Sequence, residues 1–225
     1  MAIEIYLAMS AAQFHWKPVP ERAAWMACHF SPCTTGLSNL PGKLPEGSIL
    51  ILDDSVPIDG HDPRRILRQL ETLEFGALLL DLQRPATEEL RDLVQVLDRQ
   101  LSRRVAVTEQ YAAVTSGPVL LPPVPPYRRP EDHLNDWSGR ELWLELAAEG
   151  ARILLTRDGA KVQDWETEAT GRHRHEGLCC SYDIRLSTGE ALFFLRRDDQ
   201  DLSAMLGRCE ALGVTRAIGL WQELG

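Results

Sequence analysis

The sequence predicts an α/β protein built on a parallel β-sheet. Two short stretches, 48–54 and 75–81, are apolar until their last residues and have no polar face, which is typical of strands covered on both sides, and a further strand is predicted at 104–109. Stretches with apolar residues at helical spacing separate them. Two successive strand–helix–strand units predict parallel strands joined by right-handed crossovers. Ligands bind at the carboxyl ends of such strands.

Composition narrows the class of protein. The chain has 225 residues, of which 44% are hydrophobic and 25% are charged, as in an ordinary soluble globular protein. Its net charge of −9 argues against a nucleic acid or an anionic membrane as partner. Both partners are negatively charged, and the chain has no excess of basic residues to neutralise them.

Location is predicted from the amino terminus and the cysteines. Glu4 interrupts the first apolar run, so we expect no secretory signal, and no run reaches the ~18 apolar residues of a membrane span. The five cysteines show no disulfide-scaffold spacing. We therefore expect reduced thiols and a cytoplasmic protein.

The first half of the chain alternates strands with helices or loops. Loops are expected at 14–20, which contains two prolines, and at 34–47. Asp62-Pro63 and Thr87 are expected to begin the two helices. Strands are expected at 3–9, at 24–30, at 48–54, from Phe75 and at 104–109.

The second half has a weaker pattern. The run 141–147 fits either a strand or a helix, and Asp199 or Asp201 is expected to cap a helix that ends at Gly213. The other expected elements are a strand at 117–121, a proline-rich loop, one helical turn within 130–137, hairpins at 150–162 and 180–195 around an irregular stretch 165–177, and a last strand at 216–221.

The stretch from Phe75 to Pro85 carries the strongest functional signal. Its apolar run ends in Asp81 and Gln83, which a strand places on the same side because side chains alternate with period two. A predicted helix stands before this strand and another after it. The two polar side chains are therefore expected where a ligand would bind.

This stretch resembles the fourth-strand signature of the family 18 glycoside hydrolases, the chitinase-like enzymes. Phe75 and Pro85 match the ends of the signature, Asp81 stands for its last aspartate, and Gln83 stands for its catalytic glutamate. The first two aspartates are replaced, by Gly76 and Leu79.

The carboxyl terminus resembles the close of the same family's barrel. Asp198-Asp199, Leu212-Gly213 and Trp221 occupy the places of an acidic pair, a turn and the final tryptophan, which forms the floor under the sugar in that family.

The resemblance implies a (β/α)₈ TIM-type barrel, which typically needs about 250 residues. The chain is shorter, and no amphipathic helix is evident between Tyr111 and Gly177. We therefore expect one truncated domain over 1–225, a reduced or distorted barrel with some outer helices replaced by loops and hairpins. Strand faces left uncovered by missing helices favour a homo-oligomer.

The resemblance also implies a hydrolytic mechanism for the family and indicates that this chain lacks the acid it needs. In the family, the glutamate protonates the leaving oxygen, the substrate's acetamido group attacks the sugar carbon, and the aspartate steadies the intermediate. The amide of Gln83 has no proton to release near neutral pH. At Asp81 and Gln83 the sequence therefore indicates lost or strongly reduced hydrolysis, with Glu109 or Glu145 as a candidate relocated acid that would act with Asp81.

The expected ligand is an oligosaccharide. Trp221 is the candidate stacking residue, because sugar rings present an apolar face to indole. Asp53, Tyr111 and Glu145 are further candidate ligand contacts at or near strand ends.

No metal or cofactor is expected. Cys28-His29 with Cys33 and the stretch 173–180 contain metal-capable side chains, but the second cluster lacks the usual zinc spacing, so buried thiols are the default. Phosphate-binding glycine motifs and the serine-hydrolase elbow are absent from the sequence.

Three hypotheses stay open at this point. The protein is a non-hydrolytic carbohydrate-binding barrel, an active glycosidase with a relocated acid, or an assembly protein without a ligand. Fold alone cannot decide among them.

Overall fold

The structure is a computed structural model that describes residues 2–56, 60–101, 104–147, 150–165 and 171–224. In chain order the strands are β1 Glu4–Met9, β2 Ala23–Phe30, β3 Leu37–Ser38, β4 Ile49–Asp53, β5 Ala77–Asp81, β6 Arg104–Thr108, β7 Val119–Leu121, β8 Leu142–Leu146, β9 Gly150–Thr156, β10 Gly159–Trp165, β11 His173–His175, β12 Cys180–Ser187, β13 Glu190–Arg196 and β14 Val214–Leu220. The helices are α1 Ala11–Trp16, α2 Pro63–Glu71, α3 Glu88–Gln100, α4 Pro130–Leu134, α5 Asp199–Ala211 and α6 Trp221–Leu224, with 3₁₀ turns at Glu109–Val114, Asn135–Trp137 and Glu176–Leu178.

Eight parallel strands close into a barrel. Their order is β1-β2-β4-β5-β6-β7-β8-β14, and the barrel closes because β1 pairs with both β2 and β14. The short β3 pairs antiparallel with β2 at the side. The expected reduced (β/α)₈ barrel is confirmed, with few outer helices.

The chain divides into two compact units. The barrel unit comprises Glu4–Leu121, Arg140–Glu145 and Arg216–Gly225, and the sheet unit comprises Met1–Ile3, Pro122–Gly139 and Leu146–Thr215. The expectation of one domain over 1–225 stays a prediction beside this division.

Two apolar cores follow from the alternation of side chains along the barrel strands. Ile51, Leu79 and Trp143 belong to the cluster that fills the barrel interior. Leu52 and Leu80, on the opposite side of the same strands, belong to the cluster that also contains the buried residues of α2 and α3. Strands buried on both faces in this way read as continuous apolar runs.

Capping side chains determine where the helices begin. Asp62 caps α2 by accepting the backbone N–H of Arg64, and Thr87 caps α3 through the N–H of Leu90, as expected. The expectation of a loop from residue 14 was wrong for 14–16. Ser10 and Gln13 form a capping box that begins α1, and so short a helix has little periodicity to detect.

The open assignment of 141–147 resolves as strand β8, and both expected hairpins are present as β9–β10 and β12–β13. The α5 cap was wrongly assigned, because Asp198 caps the helix and Asp201 completes its capping box. The stretch 165–177, expected to be irregular, contains β11, which pairs with β12. Residues 166–170 of that stretch lie outside the described residues.

The sheet unit is built on a five-stranded antiparallel sheet of order β10-β9-β13-β12-β11. Arg197 fastens the proline-rich loop within this unit by donating to the backbone oxygens of Pro125 at 3.1 Å and Leu178 at 3.2 Å. A guanidinium satisfied by backbone carbonyls links segments that are remote in sequence.

All five cysteines are free thiols. Across the described ranges, none of the helices combines the length and the apolar character needed to cross a bilayer.

Candidate functional site

The carboxyl ends of three neighbouring barrel strands bring three ionisable side chains to one level. The parallel register pairs His29 of β2 with Asp53 of β4, and Asp53 with Asp81 of β5. Asp53 and Asp81 continue the alternation of Ile51 and Leu79, which lie in the barrel interior, so both carboxylates lie on the inner side. We call the end of the barrel that carries His29, Asp53, Asp81 and Gln83 the mouth.

His29 and Asp53 form a close pair. The His29 Nδ1 lies 2.6 Å from Asp53 Oδ2, and the other oxygen of Asp53 accepts the backbone N–H of Ser55 at 2.9 Å. An imidazole bonded to a carboxylate through Nδ1 leaves Nε2 for a ligand or water. Both side chains are about one-quarter exposed, so the pair is accessible at the mouth.

A β-bulge between Trp25 and Cys28 turns His29 inward. Ala24, before the bulge, and Met26, within it, face the interior, whereas Cys28 and Phe30 after it belong to the outer core. Burial, followed by the charge of Asp53, raises the pKa of Cys28 to about 12, so it is an unreactive thiol.

Cys28 and His29 are consecutive residues of β2 and lie on opposite sides of the strand, so they do not face one metal ion together. In the part of the chain that the structure describes, no three histidine, cysteine or acidic side chains are placed to hold a metal ion. Sequence reasoning missed His29 as a mouth residue.

Gln83 is bonded to Asp81. Its Nε2 donates to Asp81 Oδ1 at 2.5 Å, so the two residues meet as their spacing predicts. Burial raises the pKa of Asp81, and the charges of Asp53 and Asp54 raise it further, while the bond from Gln83 opposes the shift.

Asp54 fixes the loop that aims Gln83. Its side chain is buried and accepts the backbone N–H groups of Gln83 at 3.1 Å and Arg84 at 2.8 Å. A carboxylate that accepts two backbone donors holds a loop firmly, because the charge strengthens both bonds. Asp54 was expected only to be a carboxylate at a strand end, so this supporting role was not predicted.

Tyr111 and Glu109 occupy the 3₁₀ turn after β6. Tyr111 is fully buried in the outer core, and its hydroxyl donates to the backbone oxygen of Arg84 at 3.4 Å. Burial, followed by the charge of Asp54, raises its pKa to about 12. The structure thus places Tyr111 behind the loop that contains Gln83 and Arg84, whereas Glu109 is exposed. Their roles in catalysis or ligand contact stay predictions.

Glu145 and Trp221 lie at the carboxyl ends of β8 and β14. Glu145 alternates with the interior residue Trp143 and is half-buried on the inner side. Trp221 follows β14 directly and is half-buried, with the Lys17 ammonium 5.2 Å from its ring centroid. Both stand at the edge where parallel-barrel ligands bind, and their roles as ligand contacts stay predictions.

Comparison with known proteins was made by sequence and by structure. No model of a known protein family matches the sequence, and no curated protein matches it.

Solved structures do match. A chitinase-like agglutinin from Robinia pseudoacacia has a TM-score of 0.57 at 10% identity, covering 95% of this chain and 93% of that one. A family 18 N-acetylglucosaminidase from Paenibacillus barengoltzii has a TM-score of 0.57 at 10% identity, covering 97% and 94%. A mutant class V chitinase from Cycas revoluta, in complex with (GlcNAc)₃, has a TM-score of 0.59 at 11% identity, covering 97% and 94%.

Identities of this size show the fold alone. They confirm the barrel fold that the resemblance implies, and the residue correspondences in the stretch from Phe75 to Pro85 and at the carboxyl terminus stay predictions. The chain has the barrel fold of the family 18 glycoside hydrolases and is a distant structural relative of the chitinase-like proteins.

Proposed function

We propose that this protein binds an N-acetylglucosamine oligosaccharide at the mouth of its barrel and does not hydrolyse it by the substrate-assisted route. The bond from Gln83 Nε2 to Asp81 Oδ1 carries the proposal. An amide in that place holds the aspartate but offers a leaving oxygen no acidic proton.

The loop geometry supports a role in binding. Asp54 holds the backbone of Gln83 and Arg84, so Gln83 stands in a fixed position beside Asp81. Fixed polar groups at a strand end orient the hydroxyl and acetamido groups of a ligand at little entropic cost. His29 and Asp53 extend the row of hydrogen-bonding groups at the mouth.

Trp221 supports the choice of a sugar. Its ring is half-buried beyond the end of β14, and an indole of this kind stacks on the apolar face of a pyranose. Lys17 lies over the same indole and helps to hold it in place.

The structural relatives support the ligand class by analogy. One is a chitinase-like agglutinin, and another is a mutant chitinase in complex with (GlcNAc)₃. The proposal also retains a cytoplasmic location, where free cysteines stay reduced, and a homo-oligomer.

The test combines binding and turnover. We expect calorimetry with (GlcNAc)₄ to show binding, and a chromogenic N-acetylglucosamine oligomer to remain uncleaved. Trp221→Ala is expected to weaken binding about tenfold or more, because the stacked indole contributes on the order of 1–2 kcal/mol. Trp137→Ala, at a half-buried tryptophan of the sheet unit, is the matched control and should bind as the parent does.

Two results would contradict the proposal. Turnover by the parent that Asp81→Ala abolishes would show an active enzyme, and absence of binding by a folded parent would remove the carbohydrate ligand.

One observation favours the active alternative, since Glu145 is half-buried on the inner side of β8. In that case Glu145→Gln should abolish turnover, and the exposed Glu109 is tested in the same way with Glu109→Gln.

A further inference from the structure

The antiparallel sheet of the sheet unit separates apolar from polar side chains. Its register aligns residues across β10, β9, β13 and β12 in rows. One row contains Val162, Ile153, Phe193 and Ile184. The next row on the same side contains Ala160, Leu155, Ala191 and Leu186. We call these two rows the apolar face.

The apolar face is exposed to solvent toward the hairpin turns that join β9 to β10 and β12 to β13. Leu186 is 79% exposed, Val162 46%, Leu155 45% and Ile184 40%. At the opposite ends of β9 and β13, away from the hairpin turns, Ala151 and Leu195 are buried. Together the two rows expose on the order of 500 Å² of apolar surface, which is the size of patch that marks an interaction site on a soluble protein.

Three basic residues of these strands lie on the opposite side of the sheet. Arg152 alternates with Ile153, Lys161 with Val162, and Arg185 with Ile184, so each falls on the other face of the sheet. Arg152 is satisfied there by Gln163, and the Arg185 guanidinium stacks on Phe194 at 4.8 Å. The apolar face itself contains no ionisable side chain in either row.

We propose that the apolar face is the contact through which two copies of this chain form a two-fold dimer. An uncharged apolar surface is complementary to itself, whereas a charged one would oppose like charges across a two-fold axis. A nucleic acid or an anionic membrane would require a basic surface, which this face lacks. The sheets would stack face to face, about 10 Å apart.

The area fits a reversible dimer. Two such faces bury on the order of 1,000 Å², the lower limit for a specific interface. A second copy of this chain supplies a face of the same size and the same apolar character. The rim carries both signs of charge, with exposed Arg157 and Asp158 at one hairpin tip and Glu190 at the other. A dissociation constant of roughly 10 μM is expected for a contact of this size.

The test is the mass of the full chain by sedimentation equilibrium over about 1–200 μM, a range that brackets the expected dissociation constant. The parent should change from monomer to dimer. The double variant Val162→Glu with Leu186→Glu should weaken the dimer by about 100-fold or more, because it places charges in an apolar contact. The matched control is Gln163→Glu with Ser187→Glu, which adds the same charge at neighbouring positions on the other side of the same strands and should dimerise as the parent does.

A parent that stays monomeric throughout would overturn the proposal. So would a dimer that the double variant leaves intact, or one that the control disrupts equally. Methyl NMR of the parent at low and high concentration does not depend on whether the variants fold. Shifts confined to the methyl groups of the apolar face are expected, and shifts elsewhere with none on this face would contradict the dimer contact.

Discussion

The two ends of the barrel treat their carboxylates differently. At the amino ends of the strands, which we call the base, arginines neutralise the acids. Glu4 accepts Arg216 Nε at 3.2 Å, and Glu141 accepts Arg104 at 2.7 Å. At the mouth, the bonded partners found for Asp53 and Asp81 among the described residues are the His29 imidazole, the backbone N–H of Ser55 and the Gln83 amide, without an arginine.

The acids at the base are therefore held in ion pairs with arginine, whereas those at the mouth are not. Ion pairs with arginine at the base link neighbouring strands, whereas burial and neighbouring acids raise the pKa of a carboxyl at the mouth. Burial raises the pKa of Asp81, with Asp53 and Asp54 adding to it. This agrees with the general division of TIM barrels, in which the amino-terminal face serves stability and the carboxyl-terminal face serves ligands.

The largest effect is expected at the base. The Arg216 guanidinium lies over the rings of Tyr6 at 5.4 Å and Trp143 at 4.9 Å, besides its pairing with Glu4. Arg216→Ala removes the packing, both ring contacts and the ion pair, and should lower the free energy of unfolding by about 2–3 kcal/mol. Urea denaturation at pH 7 measures this loss.

Arg22→Ala is the control for Arg216→Ala. Arg22 also pairs with Glu4, at 3.7 Å, but its side chain is half exposed. Its loss should change stability by less than about 0.5 kcal/mol. Equal losses at the two positions would show that the ion pair with Glu4, and not the ring contacts, stabilises the base.

Much of the barrel could be predicted from the sequence because its strands are buried on both sides. Ile49–Asp53 and Ala77–Asp81 lie within the predicted apolar runs. The run at 141–147 could not be assigned, since seven residues, five of them apolar, fit a short helix as well as a strand. The helix at Ala11–Trp16 depends on a local capping box and leaves little periodic signal.

The mouth could be predicted only where its residues are close in sequence. Asp81 and Gln83 are two positions apart, so alternation alone puts them together. The pairing of His29 with Asp53 depends on a register between separate strands and on the bulge in β2. Strict alternation from Ala24 would have placed Cys28 inward and His29 outward, and a one-residue bulge reverses both.

An intermediate effect is expected from the His29–Asp53 pair. Asp53→Asn keeps the shape and the acceptor for Ser55 but removes the charge that faces the imidazole. A charge-assisted bond of this kind contributes about 1–2 kcal/mol, so stability at pH 7 should fall by that amount.

Glu109→Gln is the comparison for Asp53→Asn, because it removes one charge from an exposed strand-end carboxylate. It should leave the free energy of unfolding within about 0.5 kcal/mol of the parent. If Asp53→Asn also leaves the free energy of unfolding unchanged, the His29–Asp53 pair contributes nothing to folding.

The smallest effect is expected at Asp81 and appears as a dependence on pH. Burial raises the folded-state pKa of Asp81 above its ordinary value of 3.8, so the native state retains the proton after the unfolded chain has lost it. Stability from this group is therefore complete below pH 3.8 and is lost as pH rises through the folded-state pKa. Asp81→Asn keeps an oxygen that accepts the Gln83 amide but cannot ionise. Its stability relative to the parent should therefore increase across that window and then level off.

Asp198→Asn is expected to change stability with pH in the opposite direction. Backbone donors of α5, led by that of Asp201, lower the pKa of the Asp198 cap, although burial opposes the shift. Its stabilising contribution is present above pH 3.8 and is lost as pH falls through the lowered value. Urea midpoints of the parent and both variants, measured from pH 3 to 7, should therefore diverge in opposite directions. Parallel profiles for the parent and Asp81→Asn would show that Asp81 titrates as an ordinary carboxylate, and the contrast between mouth and base would then rest on geometry alone.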